Sequence, residues 1–575
     1  MSRKNTSVRF IPVIILILVL AACATTPSAA PTALPTAVPV STATSLPPTA
    51  VPASPTPAAT NTPASVSTPA GSAAPWWNNT VFYEIFVRSF YDADGDGKGD
   101  FKGLTAKLDY LKDLGISGIW LMPINPSPSY HGYDVTDYYG VNPDYGTMDD
   151  FKNFLAEAHK RGIKVIIDFV LNHTSDQHPW FQASRDPTSK YRNWFIWSDT
   201  DPGYLGPWSE VVWHENSGGG YYYGIFTAQM PDLNYKNPDV TNEMEKVAQF
   251  WLKDIGLDGF RLDAAQHLIE DAKTQANTQA THDWFKQFRT FYKSVNPQTM
   301  TVGEVAAASF SIAEYVNKGD QLDLAFDFDQ AQNWVSGVTL GDANKLMDTT
   351  NFEHSIFPKE QVATFLTNHD QNRVMSLLGD DVNKAKAAAT ILLTAPGVPF
   401  IYYGEEIGMD GQKPDEQIRT PMQWTADKSG GFTTGTPWEF PQADFKTKNV
   451  AAESKDPASL LSHYKQLIQI RSQHAALQVG DLVKVDTGSS SVYAIIRSNG
   501  SDIILTLINL SDKPVSDYKI SVSASALKGN YQVGALLGGG TFAPVAASDS
   551  GRIDGYQPLA TLPPNANLVL QLTQK

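Results

Sequence analysis

The sequence predicts an α/β fold: a (β/α)8 TIM barrel with a domain inserted after its third strand and a C-terminal antiparallel β-sandwich. Three observations carry this. Eight short apolar runs alternate with amphipathic helical stretches between residues 77 and 406. The interval between the third and fourth runs, residues 174–257, is too long for a simple loop. After about Ala476 the pattern changes to period-two runs separated by Gly, Asn, Ser and Pro. A doubly wound open sheet is the competing arrangement.

The strand candidates are residues 81–90, 118–124, 164–173, 258–263, 299–305, 322–328, 362–370 and 398–406. Between them lie helix-like segments such as 104–114 and 148–161. Residues 174–234 are rich in Trp, Tyr, Gly and Pro, with SGGGYYYG at 217–224, and read as a small excursion walling one side of a cleft. The sandwich, residues 477–575, rests on the alternating runs 490–498, 502–511 and 567–572. The barrel with its insertion would occupy residues 76–476.

The first 75 residues do not read as a fold. Arg3, Lys4 and Arg9 precede an apolar run, 10–20, too short to span a bilayer comfortably. The run ends in LAAC, which resembles the lipobox of bacterial lipoproteins. Residues 1–22 then read as a signal peptide and Cys23, the one cysteine of the chain, as the lipid-modified N-terminus. Residues 23–75 form a Pro/Ala/Thr/Ser-rich tether: from residue 24 on they hold twelve of the 37 prolines and no Asp, Glu, Lys or Arg, so they cannot bury a core. One cysteine excludes an intrachain disulfide, and a net charge of −16 argues against a nucleic-acid partner. A monomer, anchored to a membrane outside the cytoplasm, is expected.

The chemistry centres on GFRLDAAQH, residues 259–267. Residues two apart on a strand face the same side, so Arg261 and Asp263 should share one space. A guanidinium beside a carboxylate keeps it ionised, which suits a nucleophile. Glu304 and Asp370 fall at the ends of two further strand candidates. Cleaving a glycosidic bond needs one carboxyl group to attack or activate water and another to donate a proton. A third carboxylate would raise the acid's pKa and stabilise a positive transition state. His173 and His369 also sit at strand ends and could donate to sugar hydroxyls.

The stretches DFVLNH, GFRLDAAQH, GEV and FLTNHD resemble, in order, the four signature regions of the α-amylase family of glycoside hydrolases. MPDLN at 230–234 resembles the family's additional motif, and the likeness covers about residues 76–575. The resemblance implies Asp263 as nucleophile, Glu304 as general acid/base and Asp370 as a holder of the distorted sugar. It implies that Arg261, His173 and His369 bind that sugar, that Tyr133 stacks beneath its ring, and that His267, with Gln266, lines the leaving-group side. Many relatives carry Lys where Gln266 stands. The implied activity is retaining, endo-acting hydrolysis of α-1,4-glucans: starch, glycogen or maltodextrins. Alternatives are an exo-acting α-glucosidase or oligo-1,6-glucosidase, a 4-α-glucanotransferase, and a non-catalytic surface glucan-binding lipoprotein, which should lack part of the acidic trio.

Three spellings bear on the mode of cleavage. Ala264 and Ala265 follow the nucleophile, and small Ala there goes with α-1,4 preference in the family. Tyr130 stands where exo-acting relatives often have an Asp, leaving one side of the cleft open. RTPMQW at 419–424 resembles the oligoglucosidases, whose Arg pairs with that Asp, so Arg419 needs another partner.

DADGDGKGD, residues 92–100, offers Asp92, Asp94, Asp96, the Lys98 carbonyl and Asp100 at alternate positions, with Gly at the bends, which suits Ca2+. It begins like an EF-hand loop, but position 12 is Gly103 and no EF-hand helix precedes it. Similar loops bind Ca2+ in oligoglucosidase-type relatives. Asn172, Asp232 and the His267 carbonyl resemble the calcium site that α-amylases place between barrel and inserted domain.

Overall fold

The computed structural model describes residues 74–575. Eight parallel strands close into a barrel: β1 (Phe82–Ile85), β2 (Gly118–Leu121), β3 (Lys164–Phe169), β4 (Gly259–Leu262), β5 (Met300–Gly303), β6 (Leu324–Phe326), β7 (Val362–Thr364) and β8 (Val398–Tyr402). Each pairs with its sequence neighbours, and β1 closes the ring against β8, Phe82 opposite Phe400. The open-sheet alternative is thereby excluded. The strands are shorter than their apolar runs. Residues 81–90, for instance, leave the sheet after Ile85, level with Leu121 of β2, and Val87–Phe90 turns helical. Most residues of the runs beyond their strands are still buried, packed under the loops at the barrel mouth.

The strands are buried on both faces, as a parallel barrel requires. The interior is filled by large side chains, among them Phe82, Trp120, Phe326 and Phe400; Phe82 and Phe400 stack at 4.4 Å. Outside, helices lay apolar stripes on the strands. Helix Phe101–Leu114 buries Phe101, Leu104, Leu108, Leu111 and Leu114, starts on the Asp100 side-chain cap, and stops at left-handed Gly115. A side chain at Gly115 would meet Ile468 at 2.7 Å. Before β4 the helix Pro238–Gln249 loosens into a π-helical turn, Phe250–Ile255, and Gly256 (φ 92°) ends it.

The excursion after β3 carries a three-stranded antiparallel sheet, with Tyr221–Tyr223 between Trp197–Ser198 and Trp213–Glu215. The backbone bridge His173–Asp232 stitches it to the segment leaving β3, and Phe195–Leu233 closes it on itself. The C-terminal part is a six-stranded antiparallel sheet facing a two-stranded one, Ile520–Val522 with Ile553–Tyr556. Its central hairpin, Val492–Asn499 with Asp502–Asn509, turns through Gly500 and Ser501. It is fastened to the barrel by the buried ion pair Arg497–Glu360 at 2.8 Å. Among the described residues no helix is long and apolar enough to cross a membrane. Cys23, the signal-peptide reading and nearly all of the tether lie outside the described residues.

Candidate active site

Asp263 is the residue after β4 and Glu304 the residue after β5, so adjacent parallel strands deliver both carboxyl groups into one mouth. Arg261 stands directly opposite Asp168 of β3 and points inward with it. The guanidinium, 1% exposed, holds three acids at once: Nη1 donates to Asp168 at 2.7 Å and to Asp263 at 2.6 Å, and Nη2 to Glu304 at 2.6 Å. The same-side argument for Arg261 and Asp263 is met by direct contact. Ala264 adopts a left-handed conformation (φ 46°, ψ 37°), a strain of about 1 kcal/mol for a residue with a side chain. That turn aims its N–H at Glu304 Oε2, 3.1 Å away, tying the segments after β4 and β5 together. A β-branched residue would fit this backbone worse, which gives the Ala a conformational reason as well as a steric one.

Asp370 lies in the loop beyond β7. Arg419 donates to it at 2.9 Å and His369 sits 3.1 Å from it. Burial pushes the Asp370 carboxyl up, but His369 and Arg419 overcome this and hold it well below the usual range. Burial pulls His369 down, yet Asp370 and Glu84 flank the ring and raise it to about 10, so it stays protonated. Its Nδ1 donates to Glu84 of β1 at 2.5 Å and its Nε2 to the Tyr133 hydroxyl at 2.6 Å; that hydroxyl in turn donates to Asp168 at 3.1 Å. Burial, with the Asp263 and Asp370 charges, raises Glu304 above an ordinary glutamate despite the pull of Arg261.

A cavity of about 380 Å3 collects these groups, a size suited to a small ligand segment. Asp263, Glu304, Asp370, Tyr133, His173 and His267 all line it. His173 is buried and neutral, burial lowering it to about 4, and neither ring nitrogen has a partner. His267 is fixed from both sides: Nδ1 bonds the Gln275 carbonyl at 2.8 Å and Nε2 the Gln266 amide at 2.8 Å. Two placements differ from the expectation of direct sugar contact. Arg261 and His369 do not line the cavity; both are fully buried beneath it, with both Nη groups of Arg261 held by carboxylates and the His369 nitrogens by Glu84 and Tyr133.

Arg419 finds its partners in Asp370 and in Asp415, 2.8 Å away on the short helix Asp415–Ile418. Tyr130 does not line the cavity; its ring centre lies 5.9 Å from the Arg419 guanidinium and stacks on Trp438 at 5.3 Å. Five contributors escaped the sequence reading. Asp168 and Glu84 had a signal, a charge inside an apolar strand run, which is rarely buried without a partner. Asp415, Trp208 and Phe226 had none. Trp208 is 57% exposed, stacks on Phe226 at 5.7 Å, and meets His267 edge-on at 5.5 Å, walling the cavity from the excursion.

In the acidic loop, oxygens of Asp92, Asp94 and Asp100 lie within 4.8 Å of one another. Asp96 is exposed, accepts from the Lys98 N–H and is not in that group; the Lys98 ammonium pairs with Asp144 at 2.7 Å. Burial raises Asp100 and the Asp94 and Asp92 charges add to it, a repulsion that a divalent cation would relieve. Gly103 is required: a side chain there would strike the Tyr91 carbonyl at 1.9 Å. Behind the main cavity, both amide atoms of Asn172 and Oδ2 of Asp232 are buried without partners. Burial and the nearby Glu270 charge raise Asp232 well above its usual value. Both donor sets fit a hard cation.

The family model described as the α-amylase catalytic domain matches residues 84–480. Alpha-amylase 3 of Dictyoglomus thermophilum is 43% identical over 448 residues, 77% of this chain and 86% of its own length. The oligo-1,6-glucosidase of Parageobacillus thermoglucosidasius is 34% identical, covering 80% of this chain and 95% of its own. The trehalose synthase of a Pimelobacter species is 35% identical, covering 77% and 88%. Among solved structures, the α-amylase of H. orenii matches with a TM-score of 0.74 at 41% identity, over 86% of this chain and 99% of that one. The trehalulose synthase of Pseudomonas mesoacidophila matches at 0.74 and 30%, over 87% and 100%. Fold, acidic trio and these likenesses converge, and the chain belongs to the α-amylase family of glycoside hydrolases.

Proposed function

We propose that this glycoside hydrolase cuts internal α-1,4 bonds of starch, glycogen or maltodextrins with retention of configuration. The observation that carries the mechanism is the shared guanidinium. Asp263 and Glu304 bond neighbouring nitrogens of Arg261, which fits the closer carboxyl spacing of retaining enzymes, about 5–5.5 Å, rather than the wider inverting one. Asp263 attacks the anomeric carbon while Glu304, whose pKa burial raises above that of an ordinary glutamate, gives its proton to the departing oxygen. Glu304 then takes a proton from water, which releases the sugar from Asp263. Asp370, held ionised by His369 and Arg419, binds sugar hydroxyls and steadies positive charge at the ring. Tyr133 offers its ring as the floor, and His173 its unpartnered nitrogens to a hydroxyl. Arg261 and His369 act by positioning.

Tyr130 supports internal cleavage. With it stacked on Trp438, no carboxylate from that position closes the cavity. The higher identity to an α-amylase than to oligo-1,6-glucosidases points the same way. The second reading, an exo-acting α-glucosidase, is favoured by one feature: Arg419 and Asp415 stand together at the cavity's edge, where they could bind a chain end. Dyed, cross-linked starch decides between them, because only internal cuts solubilise it. Released dye with α-configured products is expected; glucose from isomaltose without released dye supports the second reading.

Calcium would be held by Asp92, Asp94 and Asp100, and a second ion by Asn172 and Asp232. It would supply structural cross-linking, since none of the acidic trio belongs to either set. The N-terminal spelling supports a lipid anchor at Cys23 and a place at the bacterial surface or envelope. Cys23→Ser should release the enzyme from membranes; unchanged membrane retention would remove the anchor from the account.

A further inference from the structure

A second cavity, about 710 Å3 and larger than the first, opens on the other side of Asp370. It runs along helix Phe328–Leu340, whose Phe328, Gln332, Val335, Ser336 and Thr339 form one lengthwise stripe. Thirteen residues at 1.5 Å each make that wall about 20 Å long. The facing wall begins with Gln371 and Asn372, directly after Asp370 in the chain. The two cavities therefore meet at the carboxylate that grips the sugar ring.

The lining chemistry is selective. Besides Asp370 the groove carries two charges, Asp329 and Lys413, and Lys413 is neutralised by an ion pair with Asp415. What remains is apolar surface from Phe328, Val335 and Leu366 beside uncharged hydrogen-bonding groups of Gln332, Ser336 and Gln371. At the far end Leu340 is 74% exposed and Leu377 also lies open, although neither is needed to close a core. A ligand matched to this surface is long, uncharged, rich in hydroxyl groups and apolar on part of its face. An anionic polymer or a nucleotide would find no cation free to bind it.

We propose that this groove holds the outer sugar residues of the same α-glucan chain, several units from the bond being cut. It would make the enzyme favour long chains over short ones. The proposal rests on the glucan reading above, and it commits to one occupant because the groove shares Asp370 with the catalytic cavity.

The test fills the groove without touching the acids. Gln332 is exposed and Ser336 half-buried, and neither bonds a catalytic group, so Gln332→Trp and Ser336→Trp should leave the fold intact. On a chromogenic maltotrioside, kcat/KM should stay within about 2-fold of the wild type, while on amylose it should fall about tenfold. Equal losses on both substrates, or no loss on amylose, overturn the groove. A wild type inactive on amylose counts against the proposed activity instead. The groove is then read from binding: Glu304→Gln should bind maltoheptaose more tightly than maltotriose, and adding Ser336→Trp should abolish the difference. Persistence of the difference also overturns it.

Discussion

Arg261→Met tests the idea that one buried cation organises the site. The substitution keeps an unbranched side chain of similar reach and removes three charge-assisted bonds, to Asp168, Asp263 and Glu304. Breaking a buried ion pair from one side costs about 3–5 kcal/mol because the other charge is left without a partner. Asp168 carries most of that cost, being fully buried; Asp263 and Glu304 open to the cavity and recover part of it from water. Taking about 4 kcal/mol, and about 1–2 °C per kcal/mol for a barrel this large, the melting temperature should fall by roughly 4–8 °C. The chemistry should suffer more than the fold, because Asp263 loses the 2.6 Å bond that sets its position. A second signature separates this from general damage. Burial and the Asp263 and Asp370 charges raise Glu304, whereas Arg261 holds it down. Activity needs Glu304 protonated, so kcat/KM falls as pH rises through its pKa. Without Arg261 that alkaline limb should move to higher pH. Differential scanning calorimetry and a pH profile on a chromogenic maltoside read both. An unshifted alkaline limb in a variant of near-normal kcat would refute the reasoning.

Two further outcomes follow from the geometry. If the acidic loop binds Ca2+, chelation lowers the wild-type melting temperature by removing a ligand of the native state, and Asp94→Ala, which spares the Asp100 helix cap, reduces that response. An identical chelator response in Asp94→Ala would place the sensitivity elsewhere. His369 is raised from about 6.5 unfolded to about 10 folded, so its ion pairs stabilise fully below about pH 6.5 and lose their effect as pH rises through about 10. The melting-temperature gap between wild type and His369→Gln should therefore narrow from pH 6.5 to pH 10; a constant gap would show that the ring contributes only by packing.

The barrel was legible because a parallel strand buried on both faces leaves a continuous apolar run, and eight such runs stand between helical stripes. Strand ends were not legible, since Phe86 and Val87, and Phe365 and Leu366, continue the apolar runs of the strands they follow yet pack under the mouth loops. The trio was legible because each acid falls at or beyond a strand end. The support beneath it was only half visible. Arg261 could be paired with Asp263 by strand alternation, whereas its bonds to Asp168 and Glu304 depend on the register across β3, β4 and β5, which no single strand encodes. The His residues read as sugar donors on position alone. Of the two carboxylates that protonate His369, Asp370 is its neighbour in the chain, but Glu84 comes from β1, 285 residues away. Trp208 and Phe226 sit on irregular segments and Asp415 on a four-residue helix, and the placement of all three follows from tertiary packing.

Trapping the covalent intermediate tests the central claim most directly. A fluorinated α-glycosyl fluoride slows release of the sugar from its nucleophile, so the labelled enzyme can be digested and sequenced by mass spectrometry. One glycosyl unit per chain, ester-linked to Asp263, is the result this account predicts, with no label on Asp263→Asn. A label on Glu304 or Asp370, or turnover with inverted product and no label, would contradict it.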